Sequence, residues 1–496
     1  MACKRRPVSN TTDFVDVVVV GAGLSGIAAG HYLQTLCASR SYTILESRSA
    51  IGGTWDLFRY PGVRSDSDMS TLGYSFRPWA DNAMFASATT IRDYVAATAR
   101  EEGIERHIRF GIRVTGADWD SQRARWCVST LSSQGVTARI ECRFVFFCSG
   151  YYDYESGYEP QWQGRDEFKG TIVHPQQWPA SLDYTGKRVV VIGSGATAIT
   201  LVPAMATRAA HVTMLQRSPS YIIALPAHDA IGAKLRQWLP PLAAHRMVRW
   251  KNIVGATLLF QFSRRWPEAM KRLISKGARR YLGADFDVAR HLSPRYDPWD
   301  QRLCIAPDGD FFQAVRSGKA DIVTGDIERF TPDGLKLASG EALDADVVVT
   351  ATGLRLKMLG GAAITIDGAA VDASKSFVYR GTMYSGVPNL AVATGYTNAS
   401  WTLKCELSAR YVCRLLNEMQ ATGLDTCVPV HDDSLAASGP AIDLSSGYIQ
   451  RAAATLPRQG DRTPWRMYQN YFLDLLTLKF ARLRDGVLRL ARGASR

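Results

Sequence analysis

Four consecutive valines, Val17 to Val20, run directly into the glycine turn of "GAGLSG", and apolar residues then recur at helical spacing through Ile27 and Leu33. A short apolar run with no polar alternation, closed by glycine, predicts a strand buried on both faces. The 3.6-residue spacing behind it predicts a helix. "SYTILESRS" supplies the next strand and completes a βαβ unit. The pattern returns about 170 residues later as "KRVVVIGSGATAITLVPAM" followed by "HVTMLQRS", a duplicated domain type and not a solenoid repeat. Between Pro226 and Arg295, Trp, Leu and Arg fall at helical spacing with breaks at "LPP" and "RRWPEAM", which predicts a helical insertion. "KADIVTGDIERF" and "DGLKLASGEALDADVVVTATGL" then return to strands and hairpins, with Val347 to Val349 rejoining a parallel sheet. From Pro388 the pattern predicts one more strand ("NLAVAT"), a loop ("GYTNASW") and long helices to the C-terminus. The fold class is α/β.

At 496 residues the chain exceeds one compact core, and 46% hydrophobic with 21% charged residues is an ordinary globular balance. The start, "MACKRRPVSNTTDF", has basic residues without an apolar segment behind them, so no export signal is expected. No uncharged apolar run reaches the length of a membrane span. Nine cysteines without a CxxC spacing argue against a disulfide framework and a structural zinc, so no metal site and a cytoplasmic location are expected. The net charge of +13 is unevenly placed: residues 231–282 hold twelve Lys/Arg against one acid, and residues 479–496 hold six against one. A solvated helical insertion is the first reading of that basicity. Peripheral attachment to an anionic membrane, through 231–282 and an amphipathic C-terminal tail, is the sharper alternative. No recognition motif accompanies the charge, which excludes nucleic acid as the expected partner.

Gly21, Gly23 and Gly26 match GxGxxG directly after a strand. The glycines allow, in turn, a tight turn, close backbone approach to a pyrophosphate and close helix packing. The phosphates would sit at the helix N-terminus. Glu46 stands at the end of the next strand, placed to bond a ribose diol. "IGGTWDLFRYPGVRSDSD" follows at once, and Gly53, Thr54 and Trp55 stand where a flavin enzyme passes its ring, with no redox cysteine pair nearby. In the second copy Gly193, Ser194, Gly195, Ala196 and Thr197 form the turn, with Ala198 in the third glycine's place. Arg217 then stands where an NAD-binding protein usually has an acid. An arginine there pairs with a 2′-phosphate, favouring NADPH, with Ser218 as an additional donor. FAD in the first fold and NADPH in the second are the expected cofactors.

At this point the chain resembles the flavoprotein Baeyer-Villiger monooxygenases. Their fingerprint FxGxxxHxxxW followed by Pro or Asp is met by Phe168, Gly170, His174, Trp178 and Pro179, and "GGTWDLFRYPGVRSDSD" matches a second signature through Asp66. "YDPWDQRLC", "GYTNASWTLK" and "QGDRTPWR" bring it closest to the mycobacterial ethionamide-activating subgroup. The resemblance implies two Rossmann-like dinucleotide-binding domains: FAD over 1–155 and 355–496, NADPH over 156–219 and 295–354, with a helical insertion at 220–294. It implies conversion of ketones to esters or lactones with NADPH and O2, through a flavin C4a-peroxide, and possible oxygenation of sulfur in thioethers and thioamides. The alternatives are a monooxygenase acting mainly on sulfur or nitrogen, and a membrane-associated flavin-binding sensor.

Baeyer-Villiger chemistry needs a fixed cation near the anionic species it forms, and excluded water. The resemblance places Arg302 in that role, with Asp66 holding it. The bland readings are a helix N-cap for Asp66 and an ion pair to Asp297 or Asp300 for Arg302. Gln301 replaces a lysine that relatives use for NADPH. His174 lies in the connector between the folds, where it is expected to couple domain movement to cofactor position and not to act as a base. Asn398, Trp401 and Trp465 match positions around the substrate, with core packing an equal reading for the tryptophans.

Overall fold

The computed structural model describes residues 13–493. At the centre of the first sheet the strand Asp13–Val20 pairs in parallel with Tyr42–Leu45 on one side and Thr137–Phe147 on the other. Val17 and Val19 face a core that includes the helices Leu24–Leu36 and Trp401–Thr422. Val18 and Val20 face a second core containing Trp119 and Trp126. Both faces are covered, which is why the valine run shows no polar alternation. The second face is covered by an antiparallel wing, Ile112–Asp120 and Arg125–Ser132, that branches from the first half of Thr137–Phe147. The second half of that strand instead takes Leu390–Val392 as a parallel neighbour.

The second sheet has five parallel strands in the order Ala320–Thr324, His211–Gln216, Arg188–Ile192, Val347–Thr350, Thr171–Val173. The direction of winding reverses between Arg188–Ile192 and Val347–Thr350, so a crevice opens beyond their C-terminal ends. Tyr152–Gly157 leads out of the first sheet and Leu354–Leu356 leads back. The two pair antiparallel and form a two-stranded ribbon between the sheets.

Residues 230–292 are helical, as Ala230–Trp238, Pro241–Arg265, Pro267–Leu282 and Val288–Leu292. The longest of these is fastened to the first domain from within. Buried Arg249 donates to the carbonyls of Ser70, Thr71 and Gly73 and pairs with Glu406 at 2.5 Å. A cation at the end of the helix Met69–Leu72 meets carbonyls that the helix leaves without partners. The solvated reading therefore fits only the outer side of the insertion.

The C-terminal region departs from the expected long helices. After Trp401–Thr422 come short helices and strands, and Leu488–Ala491 pairs antiparallel with Thr426–Pro429. Leu488 is buried and Arg489 exposed, a period of two that "VLRLAR" carries in its sequence. The tail is a docked strand and not a free amphipathic helix, and its last residues, 494–496, lie outside the described residues.

Candidate functional site

A cavity of about 1060 Å³ lies where the C-terminal ends of the two sheets face each other, and both glycine turns line it. In the first turn Gly21 has φ +103°, and a Cβ on it would stand 2.8 Å from the Cys148 carbonyl oxygen. A Cβ on Gly26 would lie 1.8 Å from the Gly21 carbonyl oxygen, so helix and strand meet only because Gly26 has none. Gly23 faces Gly53, where a Cβ would reach 3.2 Å from the Gly23 Cα. Two glycine segments thus form one backbone-walled slot. Glu46 is 4% exposed. Its Oε2 accepts the Ala22 N–H at 2.7 Å and its Oε1 the Arg48 N–H at 2.9 Å. Thr54 and Trp55 line the same slot, with the Thr54 hydroxyl 3.3 Å from that of Tyr154.

In the second turn Gly193, with φ +133°, abuts Ala351: a Cβ would fall 2.3 Å from its carbonyl oxygen. Ser194, Gly195, Ala196 and Thr197 line the cavity. The Ser194 hydroxyl donates to the Ser218 carbonyl at 2.9 Å and lies 3.0 Å from the Ser220 hydroxyl. Ser220 lines the cavity where Ser218 was expected to; Ser218 contributes its carbonyl to the turn and lies outside the lining. Arg217 lines the cavity, is exposed, and makes no ion pair among the described residues. Gln216 turns away, donating to the His291 carbonyl at 2.7 Å.

The helices that follow both turns, Leu24–Leu36 and Ala196–Met205, begin at Gly23 and Gly195 with no side-chain cap. Their free N–H groups open into the cavity, an arrangement that suits phosphate. The glycine slot, the uncapped helix and buried Glu46 fit FAD, and the more open second turn with Arg217 fits a nicotinamide dinucleotide phosphate.

Between the two turns Arg302 Nη1 meets Asp66 Oδ2 at 3.1 Å, with each side chain 31% exposed. Both line the cavity. Burial works against the guanidinium charge, yet the Asp66 carboxylate holds its pKa above the ordinary arginine value. The bland readings do not hold. The N-cap is Asp68, which accepts the Thr71 N–H, while Asp300 pairs with Arg264 at 2.6 Å and Asp297 with Lys271 at 2.7 Å. Tyr151, Tyr152 and Tyr448 also line this part of the cavity, and burial pushes the Tyr448 hydroxyl pKa up.

None of the five fingerprint residues lines the cavity. Phe168 is buried with Phe330. A Cβ on Gly170 would come within 2.5 Å of both the Asp346 carbonyl oxygen and the Phe168 ring. Trp178 packs edge-on against Tyr184, and the Pro179 carbonyl accepts the Leu182 N–H. His174 Nδ1 accepts the Gln176 N–H at 3.1 Å, which leaves the hydrogen on Nε2, 3.3 Å from the Gly353 carbonyl. Its ring occupies the space a Cβ on Gly157 would need, and burial lowers its pKa. His174 is thus wedged against the ribbon between the sheets. The second signature is also a joint: a Cβ on Gly62 would stand 2.5 Å from the Thr200 carbonyl oxygen, so its turn seats directly on the helix Ala196–Met205.

Of the three substrate positions, only Trp401 lines the cavity, stacked on Tyr151 with its Nε1–H donating to Ser25 at 3.0 Å. Asn398 donates to the Gln469 carbonyl, and Trp465 is 3% exposed in the core against Tyr379 and Phe377. Sequence reasoning missed Tyr151, Tyr152, Tyr154, Ser220, Tyr448 and Arg451. The first three had a signal, the tyrosine run "GYYDYESGY" just beyond the end of a buried strand; Tyr448 and Arg451 had none.

The Flavin-binding monooxygenase-like family pattern matches residues 15–231. The chain is 49% identical to the FAD-containing monooxygenase EthA of Mycobacterium tuberculosis over 482 residues, covering 97% of this chain and 98% of that protein. It is 45% identical to the probable FAD-binding monooxygenase AlmA of Acinetobacter over 476 residues, 96% of each. The fold is that of an oxidized steroid monooxygenase bound to NADP, with a TM-score of 0.77, 23% identity, and coverage of 97% of this chain and 100% of that one. On that identity over nearly its full length, the chain belongs to the FAD-containing flavin-binding monooxygenases and is related to the EthA group.

Proposed function

We propose that the protein is an NADPH- and O2-dependent monooxygenase of Baeyer-Villiger type that converts ketones to esters or lactones, with oxygenation of thioether or thioamide sulfur as a side activity. The observation that carries this reading is the Arg302–Asp66 pair in the one cavity that both glycine turns share. FAD, when bound, supplies the redox centre at which O2 is activated, and NADPH the hydride that reduces it. The chain's own residues do the rest. Arg302 is a permanent cation able to stabilise an oxyanion on the attacked carbonyl, and Asp66 keeps it aimed. Trp401, Tyr151 and Tyr448 wall that region against water. Arg217 receives the 2′-phosphate and compensates for Gln301. Phe168, Gly170, His174, Trp178 and Pro179 serve the joint between domains, divided as 1–155 with 355–496, 156–219 with 295–354, and the insertion 220–294. The ribbon at 152–157 and 354–356 is the hinge.

The test is turnover of the FAD-loaded protein with NADPH on a ketone panel, with products identified by mass. The expected product gains one oxygen as an ester. Arg302→Ala should abolish ester formation while NADPH still reduces the flavin, and esters formed by that variant at the wild-type rate would overturn the assignment. Sulfoxides without any ester would favour the rival sulfur or nitrogen chemistry.

A contact with an anionic surface is supported by the insertion, where Trp238, Trp266 and Leu273 are exposed among its Lys and Arg. No helix of the described residues is long and apolar enough to cross a membrane. Co-sedimentation of the protein with anionic vesicles at low salt, lost at high salt, is the expected result.

A further inference from the structure

A second cavity, about 460 Å³, shares no lining residue with the first. The same two helices border both: Ser25 and Trp401 at their N-terminal ends face the first, while Tyr32 and Glu406 further along face the second. On its floor Glu406 pairs with Arg249 and also accepts from the Tyr32 hydroxyl at 3.0 Å and the Ser75 N–H at 3.0 Å. That carboxylate is fully engaged. Three more cations line the cavity, Arg246, Arg410 and Lys479, and none of them makes an ion pair among the described residues. Arg410 lies over the Tyr32 ring at 5.1 Å and Lys479 beside Phe480 at 5.0 Å. The walls are apolar, with Trp250, Ile253, Leu407 and Leu475. Leu36 at 41% and Trp250 at 44% exposure carry apolar lining to the surface, and Met247, Leu476 and Phe480, next in sequence to the lining residues Arg246, Leu475 and Lys479, are more exposed still.

Three solvent-exposed cations without ion-pair partners among the described residues rim one apolar cleft, which leaves a local excess of positive charge, and the open hydrocarbon stays in contact with water. A ligand with a hydrocarbon body and an anionic head would relieve both costs. We infer that this cleft is a second binding site that takes one amphipathic anion. Its alkyl chain lies between Trp250, Leu407 and Leu475, and its carboxylate or phosphate sits on Arg246, Arg410 and Lys479. The same chemistry is offered by a free long-chain carboxylate and by an anionic lipid at a membrane.

The experiment is calorimetric titration of the full chain, loaded with FAD and saturated with NADP+ so that the first cavity is filled. The titrant is dodecanoate below its aggregation concentration. One equivalent should bind, while acetate and dodecyltrimethylammonium should not. Arg410→Gln with Lys479→Gln should weaken dodecanoate by about tenfold or more, with flavin content and NADPH oxidation unchanged. Equal binding of the alkyl cation, or unchanged dodecanoate affinity in the double variant, would overturn the proposal. Phosphatidylglycerol vesicles then separate the sources. Displacement of dodecanoate by vesicles that the double variant fails to bind assigns the site to membrane lipid. Undisturbed dodecanoate binding assigns it to a free amphiphile.

Discussion

The two glycine turns follow one sequence rule and are built to opposite degrees of enclosure. In the first, Ala22, Leu24, Ser25 and Gly26 are buried, Gly53 backs Gly23, and a buried carboxylate, Glu46, ties the turn to the next strand. In the second, Gly195 and Ala196 are exposed, a Cβ on Gly195 would meet nothing within 4 Å, and the residue in the carboxylate's place, Arg217, is exposed. One turn is fitted to a group that stays and the other to a group that comes and goes. That division suits an enzyme whose flavin remains bound while its hydride donor is exchanged.

The largest expected effect breaks the enclosed side alone. Gly26→Ala places a Cβ against the Gly21 carbonyl, where neither backbone can retreat, and should cost about 3 kcal/mol or more. The protein should purify with little flavin, read from its absorbance at the flavin band. The matching change in the second turn, Ala198→Gly, loosens a helix and removes one buried methyl, and should cost about 1–2 kcal/mol, with flavin retained. A fully yellow Gly26→Ala protein would mean that the two turns are not different in kind.

Acid should also act on the enclosed side first. His245, in the insertion helix Pro241–Arg265, accepts the Trp79 N–H at Nδ1 and donates from Nε2 to the Tyr74 carbonyl. Burial, then the charge of Arg249, pushes its pKa down to about 4 from the ordinary 6.5. The folded state therefore holds this ring neutral while the unfolded chain protonates it below 6.5. Its stabilising contribution is complete above that pH and is lost as the pH falls toward 4, by up to roughly 3 kcal/mol. The thermal midpoint should drop between pH 6.5 and 4.5, and His245→Asn should flatten the slope.

Polar ties on the two sides should differ in the same sense. Glu46→Ala strands the buried Ala22 N–H, about 1–3 kcal/mol, and the half-buried Arg48 N–H at a smaller cost, and should release flavin on gel filtration. Arg217→Gln removes a cation that supports nothing in the fold. It should raise the KM for NADPH about tenfold, leave NADH nearly unaffected, and keep flavin content and melting temperature unchanged. A large loss of flavin from Arg217→Gln would unite the two sites.

Most of this frame was legible because it rests on local rules. A valine run, three glycines and a strand-end acid specify a buried βαβ turn whatever surrounds it, and the second copy repeats the valine run and the first two glycines, with Ala198 and Arg217 in the other two places. Arg302 and Asp66, 236 residues apart, were joined by resemblance and not by any local pattern. What stayed hidden depends on long-range packing. Nothing near Trp465 marks it as core, since that follows from Phe377 and Tyr379 arriving from a distant segment. Tyr448 and Arg451 reach the cavity on a short helix with no motif. The tail was misread because a basic, leucine-rich segment suggests a helix, although its alternation has the period of a strand.

The smallest expected effect separates two serines that the sequence and the cavity lining rank in opposite order. Ser218 follows Arg217 and was the natural donor, but it serves the turn through its carbonyl, which any residue would supply. Ser220 presents its hydroxyl to Ser194 at 3.0 Å inside the cavity lining. Ser218→Ala should leave the KM for NADPH within about twofold, whereas Ser220→Ala frees the Ser194 hydroxyl of one partner and should raise it by roughly three- to tenfold, the value of one hydrogen bond. Since neither change touches the enclosed turn, flavin content is the internal control. If the two variants rank in the reverse order, the open turn must rearrange when NADPH binds, and the exchangeable site would then be shaped by its ligand rather than prepared for it.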